Sequence, residues 1–365
     1  MKRKMRIAIL YNEPIVWTDA GRTYISENGK LQDGPALRTN DRKRVVVPAD
    51  VDLSEIGVLE EMEDIKGALE SLGFKAIIFN VDSKVDRLIE FLQQEKPDLI
   101  FNIVECIDND AILEMNVAAM YELFKIPYTG AGPLALGTAL NKPRVKEILL
   151  ANGIKTPQHQ LFKVAEKAVL KEGMDFPLIV KPSREDASVG ISDKSVVYSV
   201  NELRRQIRYI WAEFDQPALV EQYIDGRELN VAIIGYKKPV TLPISEIDFS
   251  GLHEGMHKIV SYAAKWMNGT IEYQGTNGVC PAQIPQSLES QLKEVALRCF
   301  TLTGCRDYAR IDFRLAADGT PYVLEVNPNP DISDDAGFAR SAKAAGYTFP
   351  QIIGKIIESA LERAQ

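Results

Sequence analysis

The chain has 365 residues, of which 45% are hydrophobic and 26% are charged, the balance of an ordinary globular protein. This length allows two or three domains with cores of their own. The formal net charge of −8 argues against nucleic acid as the main partner. No apolar run approaches the roughly 18 residues that a membrane helix needs, and the one near the start is too short for a signal peptide. The four cysteines form no CxxC pair, which predicts structural thiols in a reducing, cytosolic setting.

The first third of the chain alternates between strand and helix patterns. Apolar runs predict strands at 6–11, 76–79, 99–104 and 126–128, and apolar periodicity predicts helices at 54–72, 85–94 and 111–124. This alternation predicts a small parallel sheet with helices on both faces. Residues 12–50 are polar and Gly-rich and give no assignment.

The rest of the chain favours an antiparallel arrangement. Gly130 to Pro133 marks a boundary, and the sequence predicts, in order, two short helices up to Gly153, a strand at 178–182, a helix at 201–213, strands at 218–224 and 228–236, a helix at 288–300 and a C-terminal helix from Phe349. Asp225-Gly226 predicts a hairpin turn between the strands on either side of it. Residues 245–268 show little pattern, which predicts a long loop. We therefore expect three domains, at 1–133, 134–224 and 225–365.

The stretch from Tyr308 to Asn327 carries the strongest chemical signal. Its two β-branched and aromatic runs flank Asp318-Gly319, so a hairpin is expected. If the turn has two residues, Asp312 faces Glu325 and Arg310 faces Asn327, with all four side chains on one face of the sheet. Opposed carboxylates are destabilising unless a cation or a shared proton joins them. Two carboxylates and one amide oxygen are hard ligands that suit Mg²⁺. A solvated surface hairpin is the alternative.

Four charged residues outside this hairpin are candidates for nucleotide binding. Lys181 ends a buried strand just before the polar turn 183–190, where a lysine and backbone N–H groups can hold phosphate. Lys142 is a weaker candidate of the same kind. Glu221 and Glu228 lie at strand ends, where a carboxylate can accept from a nucleotide amino group or from ribose hydroxyls. The plain alternatives are a lysine whose charged end reaches solvent and two solvated acids.

The segment His253-Glu-Gly-Met-His257 matches the H-E-x-x-H zinc pattern. That pattern requires a helix that puts both histidines on one face, together with a third ligand. Gly251 and Gly255 disfavour such a helix. We expect a mobile loop over an active site instead, and a zinc hydrolase remains an alternative.

Taken together, these residues resemble the ATP-grasp superfamily and, within it, the D-alanine–D-alanine ligases. The resemblance covers about residues 99–365 and rests on six blocks in the family's order. The blocks are Ile126-Pro-Tyr-Thr-Gly with Lys142 and Lys146, Phe176 to Pro182 with Ala187 to Gly190, Leu219 to Glu228, Ser261 to Trp266, Tyr308 to Asp312, and Leu324 to Pro328.

The resemblance implies an ATP-grasp fold, with an N-terminal Rossmann-like parallel sheet, a small antiparallel central module and a C-terminal ATP-grasp module. It also implies a cytoplasmic, homodimeric, ATP-dependent ligase that joins a small-molecule carboxylate to an amine. The implied phosphate contacts are Lys142, Lys181, Lys265 and the loop with Ser188. The implied adenine contacts are Glu221, Tyr223 and Ile224, and Glu228 would bind the ribose. Asp312, Glu325 and Asn327 would hold two Mg²⁺, or Mn²⁺ in their place, and Arg310 would stabilise the oxyanion.

The amino-acid half departs from the family pattern. Asn102 stands where the family has a histidine, and Tyr11-Asn-Glu-Pro14 replaces a Gly-Gly…Glu-Arg segment. Trp266 replaces a tyrosine, and Ala336 replaces a serine that binds the second substrate. Asp334 and Asp335 could bind a cationic amine, although a solvated loop is also consistent. We expect a ligase whose substrates are not two D-alanines. A true D-alanine–D-alanine ligase and an ATP-binding protein without ligase activity remain alternatives.

Overall fold

The computed structural model describes residues 3–13, 15–18, 21–25, 31–32, 57–82, 84–108, 110–165, 168–333 and 336–364. The strands are β1 (Arg6–Tyr11), β2 (Ile15–Thr18), β3 (Gly21–Ile25), β4 (Leu31–Gln32), β5 (Lys75–Asn80), β6 (Leu99–Ile103), β7 (His159–Phe162), β8 (Leu178–Pro182), β9 (Val196–Val197), β10 (Ala218–Gln222), β11 (Gly226–Gly235), β12 (Val240–Thr241), β13 (Ser245–Asp248), β14 (Asn277–Val279), β15 (Asp307–Ala316) and β16 (Pro321–Asn327). The helices are α1 (Gly57–Ser71), α2 (Val85–Gln94), α3 (Glu114–Leu123), α4 (Pro133–Leu140), α5 (Lys142–Ala151), α6 (Val200–Phe214), α7 (Tyr262–Trp266), α8 (Ile271–Gln274), α9 (Gln286–Leu302), α10 (Gly337–Ala344) and α11 (Phe349–Ala364). In the part of the chain described here, no helix combines the length and apolar character that crossing a membrane requires.

The first sheet is parallel, with the strand order β5-β1-β6. Its strands are apolar on both faces, as expected where helices cover both sides. Helix α1 packs on the face that carries Ile7 and Ile9, and α2 and α3 pack on the face that carries Ala8 and Leu10. The predicted parallel sheet with helices on both faces is therefore confirmed.

Two antiparallel sheets follow. The first has the order β7-β10-β8-β9, and α6 covers one of its faces. The second has the order β14-β13-β11-β15-β16, with β12 also paired to β11. Helices α5 and α9 cover one face of this second sheet. Helix α11 packs with α1 and joins the second sheet to the N-terminal sheet in one core.

The predicted hairpin at Asp225-Gly226 is wrong. Strand β10 belongs to the first antiparallel sheet and β11 to the second, so these two residues connect two sheets. Gly226 starts β11 directly against β15, where a Cβ atom would lie 2.0 Å from the carbonyl oxygen of Leu315. The glycine therefore permits a close approach of two strands and does not form a turn.

The prediction of one long loop at 245–268 is wrong at both ends. Ser245–Asp248 forms strand β13, which pairs with β11 and β14. Tyr262–Trp266 forms a short helix whose N-cap, Ser261, accepts a hydrogen bond from the Ala264 N–H. An irregular segment remains at 249–261, here called the cover loop.

The small strands β2, β3 and β4 pair with one another within the stretch 12–50, which the sequence left unassigned. Most of that stretch, the start of the predicted helix at Ser54, and the candidate amine contacts Asp334 and Asp335 lie outside the described residues.

Candidate active site

The β15–β16 hairpin brings the predicted cluster together. Arg310 pairs with Asn327 and Asp312 with Glu325, as the sequence predicts. The two-residue turn is wrong, because Ala316 pairs with Thr320 and the loop has three residues, with Gly319 at φ +79°. A β-bulge between Asp312 and Phe313 shifts the register by one and restores the predicted pairs.

Asp312 is the best-bonded carboxylate of the cluster. Its side chain is 6% exposed, and Arg310 donates to both of its oxygens, from Nε and from one Nη, each at 2.8 Å. Asn230 on β11 donates to the same carboxylate at 2.7 Å, and Asn327 donates to it at 2.9 Å. Arg310 uses two of its five N–H groups in this pair, so donors remain for a further acceptor.

Glu325 lies across the strand pair from Asp312 and has a lysine partner from another element. Its Oε2 lies 3.4 Å from Nζ of Lys142, which starts helix α5. Burial raises the pKa of the Glu325 carboxyl, but Lys142, Lys181 and Arg310 outweigh burial and bring the pKa to about 2. The carboxylate is therefore ionised at neutral pH. Lys142 in turn ties Glu325 to the polar turn after β8, because it also pairs with Asp186 at 2.6 Å.

A buried ion triplet joins the two antiparallel sheets. Glu221 on β10 is 1% exposed, and its two oxygens lie 2.6 Å from Lys146 and 2.7 Å from Lys181. Lys146 also donates to the Leu324 carbonyl of the bulged residue in β16. Burial raises the pKa of Glu221, and the two lysines reverse the effect and lower it to about 2. Burial lowers the pKa of Lys146 to about 8, with Glu221 opposing.

This triplet bears on the predicted adenine contact of Glu221. Both of its carboxylate oxygens face lysines, and the group has almost no exposed surface. In this conformation Glu221 holds the buried ammonium group of Lys181 in place near the end of β8. Sequence reasoning placed Lys146 only in the family pattern and did not identify it as a partner of Glu221.

The backbone just after β10 offers a better match to an adenine edge. Tyr223 donates its N–H to the Pro177 carbonyl at 3.1 Å. The N–H and carbonyl of Ile224 have no hydrogen-bond partner among the described residues. A free donor next to a free acceptor can pair with the edge of a purine.

The turn 183–190 and the cover loop contact each other. The predicted phosphate residue Ser188 has φ +63° and donates from Oγ to the Val260 carbonyl at 2.8 Å. Trp266 donates from Nε1 to the Ala187 carbonyl at 2.9 Å. Lys265 is half-buried, with Nζ 4.6 Å from the centre of the Trp266 ring, and has no carboxylate within 4 Å among the described residues. Lys265 is therefore a cation without a protein counter-ion in this part of the cleft.

The H-E-x-x-H segment does not form a helix. It lies in the cover loop, with Gly255 at φ +90°. Nδ1 of His257 lies 2.7 Å from Asp193, and Nε2 shares a 2.9 Å hydrogen bond with the Tyr198 hydroxyl. Both ring nitrogens of His257 are thus engaged, and no group of three metal-ligating side chains of the His, Cys, Asp and Glu types occurs in the described residues. His257 therefore holds the cover loop against the residues on either side of β9 in the first antiparallel sheet.

Glu228 lies on the same face of the second sheet as Asp312. Its partner across the strand pair is Arg314, whose Nη2 lies 2.8 Å from the carboxylate. Sequence reasoning missed Arg314, although the alternation Arg310-x-Asp312-x-Arg314 places it on the cleft face.

The donor set fits the implied Mg²⁺. Asp312, Glu325 and Asn327 supply hard oxygens from opposed positions on two strands, and Mg²⁺ commonly takes one or two carboxylates together with substrate phosphates. Asn327 now presents its amide nitrogen to Asp312. A half-turn of this amide would present its oxygen instead.

The amino-acid half of the cleft differs in character. Asn102, which replaces the family's histidine, is 1% exposed and accepts a hydrogen bond from the Tyr121 hydroxyl at 3.0 Å, so it belongs to the core. Burial, followed by the charges of neighbouring acids, raises the pKa of Glu61 and of Glu114 well above the ordinary value of 4.5. Glu105 is a charged neighbour of both, and Asp331 is a neighbour of Glu61. We call these four residues the acidic pocket.

The loop after Asn327 contacts the residues of this pocket. Asn329 accepts from the Ala131 N–H at 2.8 Å and donates to Glu114 at 3.2 Å. Asp331 accepts from the backbone and the hydroxyl of Ser333. Ala336, the counterpart of the family's substrate serine, serves as the N-cap of α10 without a side-chain hydrogen bond.

A parallel N-terminal sheet followed by two antiparallel sheets, with lysines and carboxylates held between the latter two, is the architecture of an ATP-grasp protein. The family model described as D-ala D-ala ligase C-terminus matches residues 148–358. A D-alanine–D-alanine ligase of Pelotomaculum thermopropionicum is 30% identical over 316 residues, which cover 83% of this chain and 92% of the relative. One of Nitrosospira multiformis is 35% identical over 243 residues, which cover 66% and 73%. An uncharacterized protein of Sinorhizobium fredii is 30% identical over 306 residues, which cover 82% and 87%.

The solved structures agree on the fold. The D-alanine–D-alanine ligase of Bacillus anthracis, crystallised in complex with ATP, superposes with a TM-score of 0.71 at 23% identity and covers 100% of this chain and 99% of its own. The chain therefore belongs to the D-alanine–D-alanine ligase family, whose members are ATP-dependent ligases. The predictions of an ATP-grasp fold and of membership among ATP-dependent ligases are confirmed.

Proposed function

We propose that the chain is an ATP- and Mg²⁺-dependent carboxylate–amine ligase that forms a peptide-type bond through an acylphosphate, with an amino-acid pocket unlike that for two D-alanines. The observation that carries this proposal is the cleft cluster of Arg310, Asp312, Glu325 and Asn327, in which Glu325 contacts Lys142 and interacts electrostatically with Lys181. Nucleotide binding alone does not require an arginine with free donors beside the metal ligands.

The chemistry follows from the charges in the cleft. A substrate carboxylate oxygen attacks the γ-phosphorus of ATP, the bond to ADP breaks, and an acylphosphate forms. Lys142, Lys181 and Lys265 neutralise the phosphate charge during this transfer. When bound, Mg²⁺ would add positive charge against the same phosphate oxygens, held by Asp312, Glu325 and Asn327.

Arg310 acts in the second step. The amine nitrogen attacks the acyl carbon, and the carbonyl oxygen takes up negative charge before inorganic phosphate leaves with the electrons of the C–O bond. Arg310 has N–H donors beyond the two that bind Asp312, and these would stabilise the oxyanion. Asp312 thus orients the guanidinium as well as contributing to the metal site.

The cover loop would keep water from the acylphosphate. Its Val260 carbonyl accepts a hydrogen bond from Ser188 in the turn 183–190, and its His257 contacts Asp193 just before β9 of the first antiparallel sheet. Hydrolysis competes with amine attack, so exclusion of water favours ligation. This loop takes the lid role that the sequence predicts for 245–268.

The acidic pocket supports a substrate other than D-alanine. Burial and the charges of neighbouring acids raise the pKa of Glu61 and of Glu114, and a positively charged group would relieve that repulsion. We propose that one substrate carries a cationic group beyond its reacting amine, as in a basic amino acid or a diamine. The names of the relatives favour the second candidate, D-alanine–D-alanine ligase activity itself.

The test is a screen for Mg²⁺-dependent ADP release over pairs of carboxylates and amines. The panel includes D-alanine with itself, basic amino acids of both configurations, and diamines, and Glu325→Gln is the matched inactive control. We expect release to require both a carboxylate and an amine and to be fastest with a cationic partner. Fastest release with two D-alanines would favour the second candidate.

Two outcomes would contradict ligase function altogether. Tight ATP binding without ADP release for any pair would favour an ATP-binding protein that does not ligate. Stoichiometric, tightly held zinc in metal analysis would favour the hydrolase alternative that uses His253 and His257.

We further propose the three-domain division at 1–133, 134–224 and 225–365 and a cytoplasmic homodimer. The sheets of the described residues support the division, since each of the four falls within one of these ranges. Limited proteolysis would test the boundaries, and light scattering during size-exclusion chromatography would test the dimer.

A further inference from the structure

Arg314 is a buried guanidinium on the cleft face of the second sheet. It lies two residues beyond Asp312 on β15, so both side chains project to the same face. Its side chain is only 6% exposed, and arginine is almost never buried to this degree without a partner.

Three contacts fix its position. Nη2 lies 2.8 Å from the Glu228 carboxylate, and Nη1 donates to the Gly226 carbonyl at 3.3 Å. The guanidinium carbon lies 5.6 Å from the centre of the Phe249 ring, at a distance typical of a cation–π contact. Phe249 is the first residue of the cover loop and is 8% exposed. Arg314 therefore contacts Glu228, the predicted ribose ligand; Gly226, where the chain passes from one antiparallel sheet to the other; and Phe249, at the start of the cover loop.

We propose that Arg314 is a positioning residue for nucleotide recognition: it orients Glu228 as the acceptor for the ribose hydroxyls and links that site to the cover loop through Phe249. The inference rests on the proposed function, in which Glu228 binds the ribose. A carboxylate that is held by an arginine on one oxygen keeps its other lone pairs in a fixed direction.

The charges around Glu228 explain why it needs this partner. Burial raises the pKa of its carboxyl, Asp312 and Glu325 raise it further, and Arg314 and Arg310 oppose them. Without Arg314, the balance shifts toward a protonated acid. A protonated acid donates one hydrogen bond and loses acceptor capacity, so it suits two ribose hydroxyls less well.

The experiment measures dissociation constants by calorimetry for ATP, 2′-deoxy-ATP and 3′-deoxy-ATP, so it requires no knowledge of the ligase substrates. The wild-type chain should prefer ATP, and Glu228→Gln should lose that preference. Arg314→Met should weaken ATP binding about tenfold, the effect of losing one charge-assisted hydrogen bond. It should leave the affinity for the deoxy nucleotides nearly unchanged.

Arg227→Met is the matched control. Arg227 neighbours Glu228 on β11, pairs with Glu246 at 2.6 Å and is 40% exposed. The Arg227→Met variant loses a similar ion pair on the other face of the strand, so its preference for ATP over the deoxy nucleotides should stay at the wild-type value. Arg314→Lys keeps the charge but loses the fork geometry, so it should restore part of the preference.

The outcomes separate the two claims. If Glu228→Gln keeps the ribose preference, the ribose assignment within the proposed function fails. If Glu228→Gln loses the preference while Arg314→Met keeps the wild-type values, the present inference is overturned. Should Arg314→Met fail to fold, Arg314→Lys decides: weaker binding of ATP but not of the deoxy nucleotides supports the inference, and unchanged binding of all three refutes it.

Discussion

The two halves of the cleft treat charge in opposite ways. In the ATP half, each buried carboxylate has a cation at close range, as with Glu221 between Lys146 and Lys181. In the acidic pocket, carboxylates neighbour one another, and the pKa values of Glu61 and Glu114 are raised as a result of burial and repulsion. The carboxylates of the ATP half are thus neutralised by the protein's own cations, whereas those of the acidic pocket repel one another, and a cationic ligand would reduce that repulsion.

This difference matches the pattern of relatedness. The family's sequence blocks fall mostly in the ATP half, and the departures other than Trp266 fall in the other. Related ligases can keep the same arrangement of paired charges in the ATP half, because all of them bind ATP. The half that meets the amino acids is where specificity must change.

The largest expected effect comes from removing one carboxylate of the metal pair. Glu325→Gln should abolish turnover with little loss of fold, because an amide cannot supply the negative charge that Mg²⁺ requires. ADP release and thermal unfolding would be measured side by side. Asp318→Asn in the exposed hairpin loop is the control and should retain activity. Unchanged ADP release in Glu325→Gln would refute the metal assignment.

The next effect concerns the buried triplet. Glu221→Gln leaves Lys146 and Lys181 without a counter-ion, and breaking a buried pair in this way typically costs about 3–5 kcal/mol in the free energy of unfolding. Chemical denaturation at pH 7 measures it. Glu246→Gln, which breaks the more exposed pair with Arg227, should cost no more than about 1 kcal/mol.

The effect of pH on this variant has a definite sign. The folded-state pKa of Glu221 is lowered from its ordinary 4.5 to about 2, so the unfolded chain binds the extra proton between these values. The stability that the triplet supplies is fully present above pH 4.5 and is lost as the pH falls through 2. The difference between wild type and Glu221→Gln should shrink over that range, and a constant difference would contradict the pairing.

Arg310→Ala should cost on the order of 10² in the rate of ligation, the usual effect of removing one oxyanion donor and equivalent to about 2.7 kcal/mol. The loss should appear in the rate of the chemical step and not in the affinity for ATP. Arg310→Lys keeps a charge near Asp312 and should lose less. A near-normal rate for Arg310→Ala would remove its assigned role.

The order of the elements and the chemistry of the β15–β16 hairpin could be predicted from the sequence, because periodicity and local turn residues carry them. The pairing of Asp312 with Glu325 was predicted from a turn that is wrong, and the bulge opposite Phe313 compensated. Nothing local signals that bulge, because its contact is distant in sequence: Lys146, 178 residues earlier, donates to the carbonyl of the bulged Leu324.

One other error shares that cause. Asp225-Gly226 has the composition of a turn, yet the glycine is needed because β11 starts against Leu315 of a distant strand. The two lysine partners of Glu221 were not predictable from local sequence either, because they come from α5 and β8, which only the tertiary fold brings together. The adenine contact of Glu221 stays a prediction. Arg314 is different, because simple alternation along β15 could have identified it.

The smallest expected effect tests the acidic pocket itself. Glu61→Gln keeps an acceptor for the Ile332 N–H, which now donates to Glu61 at 3.3 Å, but removes an acid whose ionised form is repelled by Asp331, Glu105 and Asp64. The free chain should gain on the order of 1 kcal/mol in the free energy of unfolding at pH 8, the usual scale of a single substitution. Glu63→Gln on the same helix is the control, because Glu63 is half-exposed and pairs with Lys66.

The pH dependence of this gain separates repulsion from better packing. The folded-state pKa of Glu61 is raised, so the wild-type chain is most stable below the ordinary pKa of 4.5 and loses stability as the pH rises from there toward the folded-state pKa. Glutamine does not titrate at this position, so the gain in Glu61→Gln should grow with pH over this range, opposite in sign to the behaviour of Glu221→Gln. A saturating cationic substrate should stabilise the wild-type chain more than Glu61→Gln, because a bound cation favours the ionised form of Glu61, which glutamine cannot adopt. Equal stabilisation of both would mean that Glu61 does not contact the cation. The repulsion among the acids would then lower the stability of the free chain without contributing to substrate binding.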